Sequence, residues 1–204
     1  MNDSHAIKSL AELRTVIPEP NPAVHRKIAT ALDDHSLGFI GESPLVFVST
    51  VDNSFNVDVS PKGDHPGFVL AEGNSTLLIP ERTGNRLAYG FQNILQNGGI
   101  GLIFVVPGVR ETLRINGTAT LTRDPAVLKQ FAVDEKPALL CTRVEIKECF
   151  FHCGKAMIRS HVWDSNHWKS TVAKEAAVKQ ISASIGISES VFRKVAEDDY
   201  LQNL

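Results

Sequence analysis

The sequence predicts a mainly β fold, an antiparallel barrel with flanking helices. Two observations predict it. Between residues 44 and 152, short runs rich in β-branched and aromatic residues alternate with turn signals, and most neighbouring runs are close enough to form hairpins. Strands and helices do not alternate along this stretch, which disfavours a doubly wound α/β sheet. With 204 residues, 43% of them hydrophobic, the chain is long enough for one sizeable core.

The N-terminal segment predicts two helices before the first strand. Apolar residues recur at helical spacing over residues 4–17, and Pro18 stops the run. Asn21 then offers an N-cap with Pro22 at the first helical position, and we expect this second helix to end near His35.

Paired strands follow. The first is expected at 45–51, with a turn at 52–54. In the next strand Phe55, Val57 and Val59 alternate with polar residues, so we expect the apolar row in the core and the polar row on the other face. Further strands are expected at 68–71, 76–80, 100–106, 111–121 and 139–151.

The remaining helices divide the chain into three predicted segments. A central helix over 85–96 ends at Asn97-Gly98-Gly99, and a short one follows Asp124-Pro125. Two more lie in the tail on either side of Gly186. We predict an N-terminal helical segment (1–38), a six-stranded barrel domain (39–164) and a C-terminal helical extension packed on the barrel (165–204).

The net charge restricts the expected partners, and the cysteines and the lengths of the apolar runs restrict the expected location. The formal net charge is -2, so no basic field favours nucleic acid or anionic lipid, and small molecules or other protein chains are the expected partners. No apolar run is long enough for a signal peptide or membrane span. Three clustered cysteines, Cys141, Cys149 and Cys153, indicate reduced thiols and predict a cytoplasmic location.

Two polar breaks interrupt the strand region. In the first, Lys62 follows an alternating strand, and Gly63 lets the backbone approach a ligand closely. The alternative is a strand-ending turn with a solvated lysine. In the second, Asn85 and Arg86 lie at the expected start of the central helix, where a phosphate is favoured and Arg82 is a further candidate cation. The alternative is an ordinary helix N-cap.

Later polar residues have two interpretations each. Thr112 and Arg114 share one face of a strand, which either lines a cofactor or faces solvent. The segment 149–153 contains Cys149, His152 and Cys153, which are zinc-type ligands, but no second cysteine pair completes a site. We therefore predict packing there and no metal centre.

The segment after the last expected strand is basic and aromatic, and several catalytic motifs are absent from the sequence. Residues 155–168 carry Lys155, Arg159, His161, Trp163 and Trp168, which fit either a cover for a flat ligand or an apolar helix with snorkelling basic side chains. A Ser-His-Asp order, a Walker loop and a GxGxxG motif are absent from the sequence, so hydrolase and nucleoside-triphosphatase functions gain no support.

Four blocks of sequence together resemble the pyridoxamine 5′-phosphate oxidase-like superfamily of FMN-binding split barrels, and more narrowly its branch of probable FMN-dependent enzymes of unassigned substrate. The blocks are FVSTVDNSFNVDVSPKGDHPGFV, LLIPERTGNRLAYGFQNIL, GLIFVVPGVRETLRINGTATLT and FFHCGKAMIRSHVWD. The resemblance implies a six-stranded split barrel that forms a homodimer with FMN in clefts between protomers.

The resemblance also assigns roles to residues. It implies a flavin wall at 59–62, a strand beside the flavin ring at 79–81, a phosphate site at Asn85 and Arg86, and closure from the second protomer near His152 and Lys155. The candidate cofactor-binding residues are Val59, Ser60, Pro61, Lys62, Gly63, Ile79, Pro80, Glu81, Arg82, Asn85, Arg86, Thr112, Leu113, His152 and Lys155.

The C-terminus departs from the authentic oxidases. The authentic enzymes carry a C-terminal Arg-x-His substrate motif and end in an Arg-Leu-x-Pro-like segment, whereas this chain ends Asp198-Asp199-Tyr200-Leu201-Gln202-Asn203-Leu204, so vitamin B6 oxidation is not expected. We expect a homodimeric FMN-dependent oxidoreductase that acts on an unidentified small molecule, with NADH or NADPH as candidate electron donor and no catalytic side chain assigned. The alternatives are a flavin carrier without turnover, and a haem protein with His152 or His161 as axial ligand.

Overall fold

The computed structural model describes residues 5–133, 135–168 and 171–203. One antiparallel sheet of seven strands, in the order β2-β1-β5-β6-β7-β4-β3, dominates it. The strands are β1 (Leu45–Val51), β2 (Val57–Gly63), β3 (Leu70–Glu72), β4 (Thr76–Glu81), β5 (Gly99–Val105), β6 (Thr112–Thr122) and β7 (Leu140–His152). The predicted mainly β class with flanking helices is confirmed. The predicted six-stranded barrel is not confirmed, because the sheet has seven strands, one of which is the short β3 paired with β4.

The sheet bends around a core between its ends. A register shift interrupts the pairing of β6 with β7 between Asn116 and Gly117. A Cβ on Gly117 would lie 2.1 Å from the Glu145 carbonyl oxygen, so only glycine fits this close approach. Such a bulge increases the local twist, which helps a sheet to curl.

The core lies on the concave side of the curled sheet. A second cluster lies beneath α5 (Pro125–Lys129). Burying a large apolar side chain stabilises the fold by about 1.5–3 kcal/mol, so the buried apolar side chains hold the sheet in its curled form. The largest fully buried apolar side chains are Phe104, Leu77, Leu78, Leu102, Leu113, Ile115, Val46 and Val144.

The orientation of β2 reverses the sequence expectation. Val57 and Val59 are 66% and 60% exposed, whereas Asp58, Ser60 and Lys62 are half-buried. The period of two is right, but the predicted faces are wrong. The reason is tertiary: β2 is a terminal strand of the sheet, and its inner face borders an open cleft in place of the apolar core.

The N-terminal helices differ from the prediction. The structure has α1 (Leu10–Val16), α2 (Pro22–His25) and α3 (Asp34–Glu42). The expected end of the second helix near His35 is wrong. The Asp33 carboxylate accepts a hydrogen bond from the Ser36 N–H at 2.8 Å, so this polar segment begins α3.

The later helices follow the prediction more closely. They are α4 (Tyr89–Gln96), α5, α6 (Lys155–Ser160), α7 (Thr171–Ile185) and α8 (Glu189–Asn203), with a 3₁₀ turn at Ser165–His167. The predicted break between the tail helices is confirmed at Gly186, which has φ 73°. The three-segment division stays a prediction, and its residues 1–4, 134, 169–170 and 204 lie outside the described residues. Across the described ranges, no helix is long and apolar enough to cross a membrane.

Candidate functional site

A cleft of about 650 Å³ opens where β2 faces β4 across the ends of the curled sheet. The two strands are not paired neighbours in the sheet, so the cleft occupies the split between them. The loop that leads into α4 forms its rim. The volume lies within the range of about 300–1,000 Å³ that is usual for pockets that bind small organic ligands.

An ion pair bridges the split near its floor. Lys62 Nζ on β2 lies 2.6 Å from Glu81 Oε2 on β4, and both side chains are largely buried. The same ammonium group lies 5.0 Å from the centre of the Phe91 ring on α4. An ammonium group at this distance from an aromatic ring is attracted to the ring face. Lys62 is therefore held by both a carboxylate and an aromatic ring.

A second ion pair bridges the split, two residues after Lys62 on one side and one residue after Glu81 on the other. Arg82 Nε lies 2.9 Å from Asp64 Oδ2, and Arg82 Nη1 donates a hydrogen bond of 2.7 Å to the Phe131 carbonyl oxygen. Burial raises the pKa of Asp64, but the His65 N–H and the Arg82 guanidinium outweigh it, and the net pKa is lowered. The carboxylate stays ionised, and Arg82 binds two protein partners, Asp64 and the Phe131 carbonyl group.

The rim loop, residues 83–88, leaves its cation without an acidic partner. Arg86 is exposed, and among the residues the structure describes it makes no ion pair. Its φ is 62°, and Ala88 also has a left-handed backbone, with φ 57°. Asn85 Oδ1 accepts a hydrogen bond of 3.0 Å from the Leu87 N–H and so shapes the loop.

The start of α4 differs from the sequence expectation. The helix begins at Tyr89, so Asn85 and Arg86 lie in the preceding loop and the prediction that they begin the helix is wrong. The left-handed backbone at Arg86 and Ala88 is incompatible with continuing the helix in the N-terminal direction. No side chain caps α4 at Ala88, so no side-chain acceptor there satisfies its first N–H groups.

The inner wall of the cleft contains residues that sequence reasoning missed. Asp58 lies on the same face of β2 as Lys62, and its Oδ2 would lie 3.3 Å from a Cβ on Gly90 of α4. Beside it, Asn93 Nδ2 donates a buried hydrogen bond of 3.1 Å to Thr50 Oγ1. The alternation of β2 contained the signal for Asp58, but the face had been assigned wrongly.

Most of the predicted site residues share this cleft, although their roles stay predictions. Val59 points away from it, while Thr112 and Leu113 are buried in β6. His152, the last residue of β7, and Lys155, the first residue of α6, are both exposed. None of these five lines the cleft of a single chain. Those that do line it are Ser60, Pro61, Lys62, Gly63, Ile79, Pro80, Glu81, Arg82, Asn85 and Arg86.

The three cysteines are free thiols. Cys141 and Cys149 are buried, whereas Cys153 is exposed. Burial raises the pKa of Cys141 to about 11, so this thiol is not a reactive thiolate at neutral pH. Burial also raises the pKa of Cys149, whose sulfur lies 3.7 Å from Ser36 Oγ.

The family described as pyridoxamine 5′-phosphate oxidase matches residues 32–153. This range includes all seven strands and every residue that lines the cleft. The chain belongs to this family. The membership expected from the four sequence blocks is thus confirmed, and the cleft described above is the split of a pyridoxamine 5′-phosphate oxidase-like barrel. No curated protein matches the chain.

Several solved structures are distantly similar to this family member. HupZ of Group A Streptococcus shares 20% identity over 59% of this chain and 93% of its own, with a TM-score of 0.49. A putative pyridoxamine 5′-phosphate oxidase from Lactobacillus delbrueckii shares 23% over 60% and 95%, with a TM-score of 0.46. An F420 reductase shares 15% over 59% and 98%, with a TM-score of 0.42. None is similar enough to transfer an activity.

Proposed function

We propose that the protein is an FMN-dependent oxidoreductase that acts on an unidentified small molecule and binds the flavin in the split of its barrel. One observation carries the proposal: a single cleft joins an apolar wall, a row of polar strand residues and Arg86, which has no acidic partner among the described residues. FMN combines the same three features, since it has a flat ring, a polar edge and chain, and an anionic phosphate.

The residues of the cleft fit the phosphate at its rim. Lys62 and Arg82 are already neutralised by Glu81 and Asp64, so Arg86 is the cleft cation best able to contact an anion. The uncapped start of α4 lies beside it, and unpaired N–H groups at a helix start attract phosphate. We assign the phosphate to Arg86 and the loop around Asn85.

The ring would lie against the apolar residues of β4 and the polar edge of β2. Ile79 is buried beside the cleft, and the backbone of 60–63 borders it from the opposite strand. Bound FMN supplies the electron or hydride transfer. The protein orients the ring and excludes water from one of its sides, and Lys62, held in place by Glu81, lines the ring site.

A homodimer is part of the proposal. The outward face of β2 and its preceding turn present Phe55, Val57 and Val59, and Phe47 and Ile103 continue this apolar face on β1 and β5. An exposed apolar face of this kind suits an interface between two copies. A second copy would also bring its own His152 and Lys155 to the cleft of its partner, because these two predicted cofactor-binding residues lie outside the cleft of their own chain.

Absorbance spectroscopy of the purified protein after incubation with FMN tests the cofactor. A flavin spectrum that persists through gel filtration supports the proposal. A colourless protein that rejects FMN, or a Soret band, overturns it. Reduction of the bound flavin by NADH or NADPH, followed by stopped flow, then separates an enzyme from a carrier.

Sedimentation velocity tests the dimer separately. The wild-type protein should sediment as a dimer, and Val59→Asp should shift it to monomer by placing a charge in the apolar face. Glu197→Gln, in the tail helix α8, is the control and should leave the dimer intact. A monomeric wild-type protein would contradict the homodimer.

A further inference from the structure

A cluster of metal-ligand side chains lies outside the cleft, in the segment that follows α6. His161, Asp164 and His167 each offer one ligand atom, and these atoms lie within 4.8 Å of one another. Among the described residues this is the sole such group. The flavin proposal makes no use of it, and the sequence predicted no metal site.

We propose that His161, Asp164 and His167 bind a divalent transition-metal ion, with zinc as the type case, through two imidazole nitrogens and one carboxylate oxygen. This donor set is one that zinc accepts readily in proteins. Three protein ligands leave one position of a tetrahedral zinc ion for water. The proposed site is independent of flavin binding.

The distances suit one shared ion after small side-chain rotations. His167 Nδ1 lies 2.9 Å from Asp164 Oδ2, and two ligands at typical zinc distances have this separation when they subtend about 90° at the metal. The rings of His161 and His167 are stacked, with centroids 4.0 Å apart and planes inclined by 11°. Both rings are exposed, so each can turn a nitrogen towards the same point.

The backbone between the ligands is anchored to the barrel. Trp163 Nε1 donates a hydrogen bond of 2.9 Å to the Val109 carbonyl oxygen in the turn between β5 and β6. Trp168 Nε1 donates one of 3.0 Å to the Val162 carbonyl oxygen. These two bonds constrain the segment that carries the three ligands, and fewer degrees of freedom are then lost when a metal binds.

The carboxylate is prepared for a cation. The Asn166 N–H donates a hydrogen bond of 3.0 Å to Asp164 Oδ1. The Asn166 side-chain amide donates a second hydrogen bond of 3.0 Å to the same oxygen. Oδ2, directed at His167, supplies the negative charge that compensates a divalent ion.

Isothermal titration of tag-free protein with zinc chloride tests the proposal. The wild-type protein should bind one zinc ion per chain. His161→Ala and His167→Ala should each weaken binding by at least about tenfold, and the double variant should bind none. Cobalt(II) bound in place of zinc should show the visible absorption bands of a protein-bound ion, and these should vanish in the double variant.

Two control variants separate this site from other ligands. His25→Ala removes an exposed imidazole elsewhere, and Cys153→Ser removes the exposed thiol, and both should bind zinc as the wild-type protein does. Zinc should raise the melting temperature of the wild type but not of the double variant. Lack of binding by the wild type, loss of binding in Cys153→Ser, or unchanged binding in the double variant would overturn the proposal.

Discussion

The basic residues in the split of the barrel and the basic residue in the rim loop have different surroundings. Along the split, Lys62 and Arg82 each form an ion pair that joins the two sides. In the rim loop, four residues after Arg82, Arg86 is exposed and has no acidic partner within the described part of the chain. Basic residues that look equivalent in the sequence thus have two roles: the split cations hold the barrel edges together, and the rim cation is available to a ligand.

The largest expected effect concerns the rim. Arg86→Ala should weaken FMN binding by more than about tenfold, which corresponds to about 1.4 kcal/mol, because a charge-assisted contact to the phosphate is lost. The melting temperature should stay unchanged, since Arg86 is exposed. Titration by flavin fluorescence measures the affinity.

A matched variant controls for loss of positive charge. Arg123 is also exposed and lies outside the cleft, so Arg123→Ala should leave the affinity unchanged. If Arg86→Ala binds FMN as tightly as the wild type, Arg86 does not hold the phosphate, and the rim cation does not differ from the split cations in this respect.

The next effect concerns the split. Glu81→Gln should lower the free energy of unfolding by about 1 kcal/mol, because a largely buried ammonium group loses its partner. It should not weaken FMN binding, since the released charge of Lys62 favours an anion. Urea denaturation and flavin titration give the two quantities.

A more exposed ion pair provides the comparison. Glu72→Gln breaks the pair with Arg143, and it should destabilise the protein less than Glu81→Gln because water screens the exposed carboxylate. A larger effect at Glu72 would show that the split pair does not hold the barrel edges together.

A smaller effect is expected from relieving the left-handed backbone of the rim loop. Ala88 has a left-handed backbone, with φ 57°, which is costly for any residue with a Cβ. Ala88→Gly should therefore stabilise the protein by about 0.5–1 kcal/mol, as measured by urea denaturation. The same change at Ala71, within β3, should destabilise it. Destabilisation at both positions would contradict the strained loop.

The smallest effect concerns pH. Because the folded state lowers the pKa of Asp64, its stabilisation is present above the ordinary value of 3.8 and is lost as the pH falls through the lower folded value. Between pH 5 and pH 3 the melting temperature of the wild type should therefore fall more steeply than that of Asp64→Asn. Thermal unfolding followed by circular dichroism measures both slopes.

An exposed glutamate outside the split supplies the reference for this titration. Glu111→Gln should retain the wild-type slope. If Asp64→Asn also retains it, the ion pair with Arg82 contributes nothing measurable to stability.

Much of the strand pattern could be predicted from the sequence. The hairpins around β1 and β4 follow from β-branched runs between turn residues, which are local signals. The faces of β2 could not be predicted. Alternation gives the period, but whether Val59 or Ser60 points inward depends on which strand lies opposite.

The candidate site likewise divides into features that the sequence predicted and features that it did not. Local composition identified Lys62, Arg82 and Arg86 as candidate cations around a ligand. Only the fold shows that Glu81 and Asp64 neutralise the first two, because each pair joins segments that are distant in sequence. Asp58 was missed for the same reason.

The sequence by itself determined the fold class, the family and the two polar breaks, since these depend on residue type and short-range spacing. The tertiary structure decided which face of β2 is inside, where α4 begins and which basic side chain is left for a ligand. Those features depend on the curl of the sheet, which brings β2 and β4 to either side of one cleft although they are not paired neighbours. Long-range geometry of this kind is not contained in local pattern.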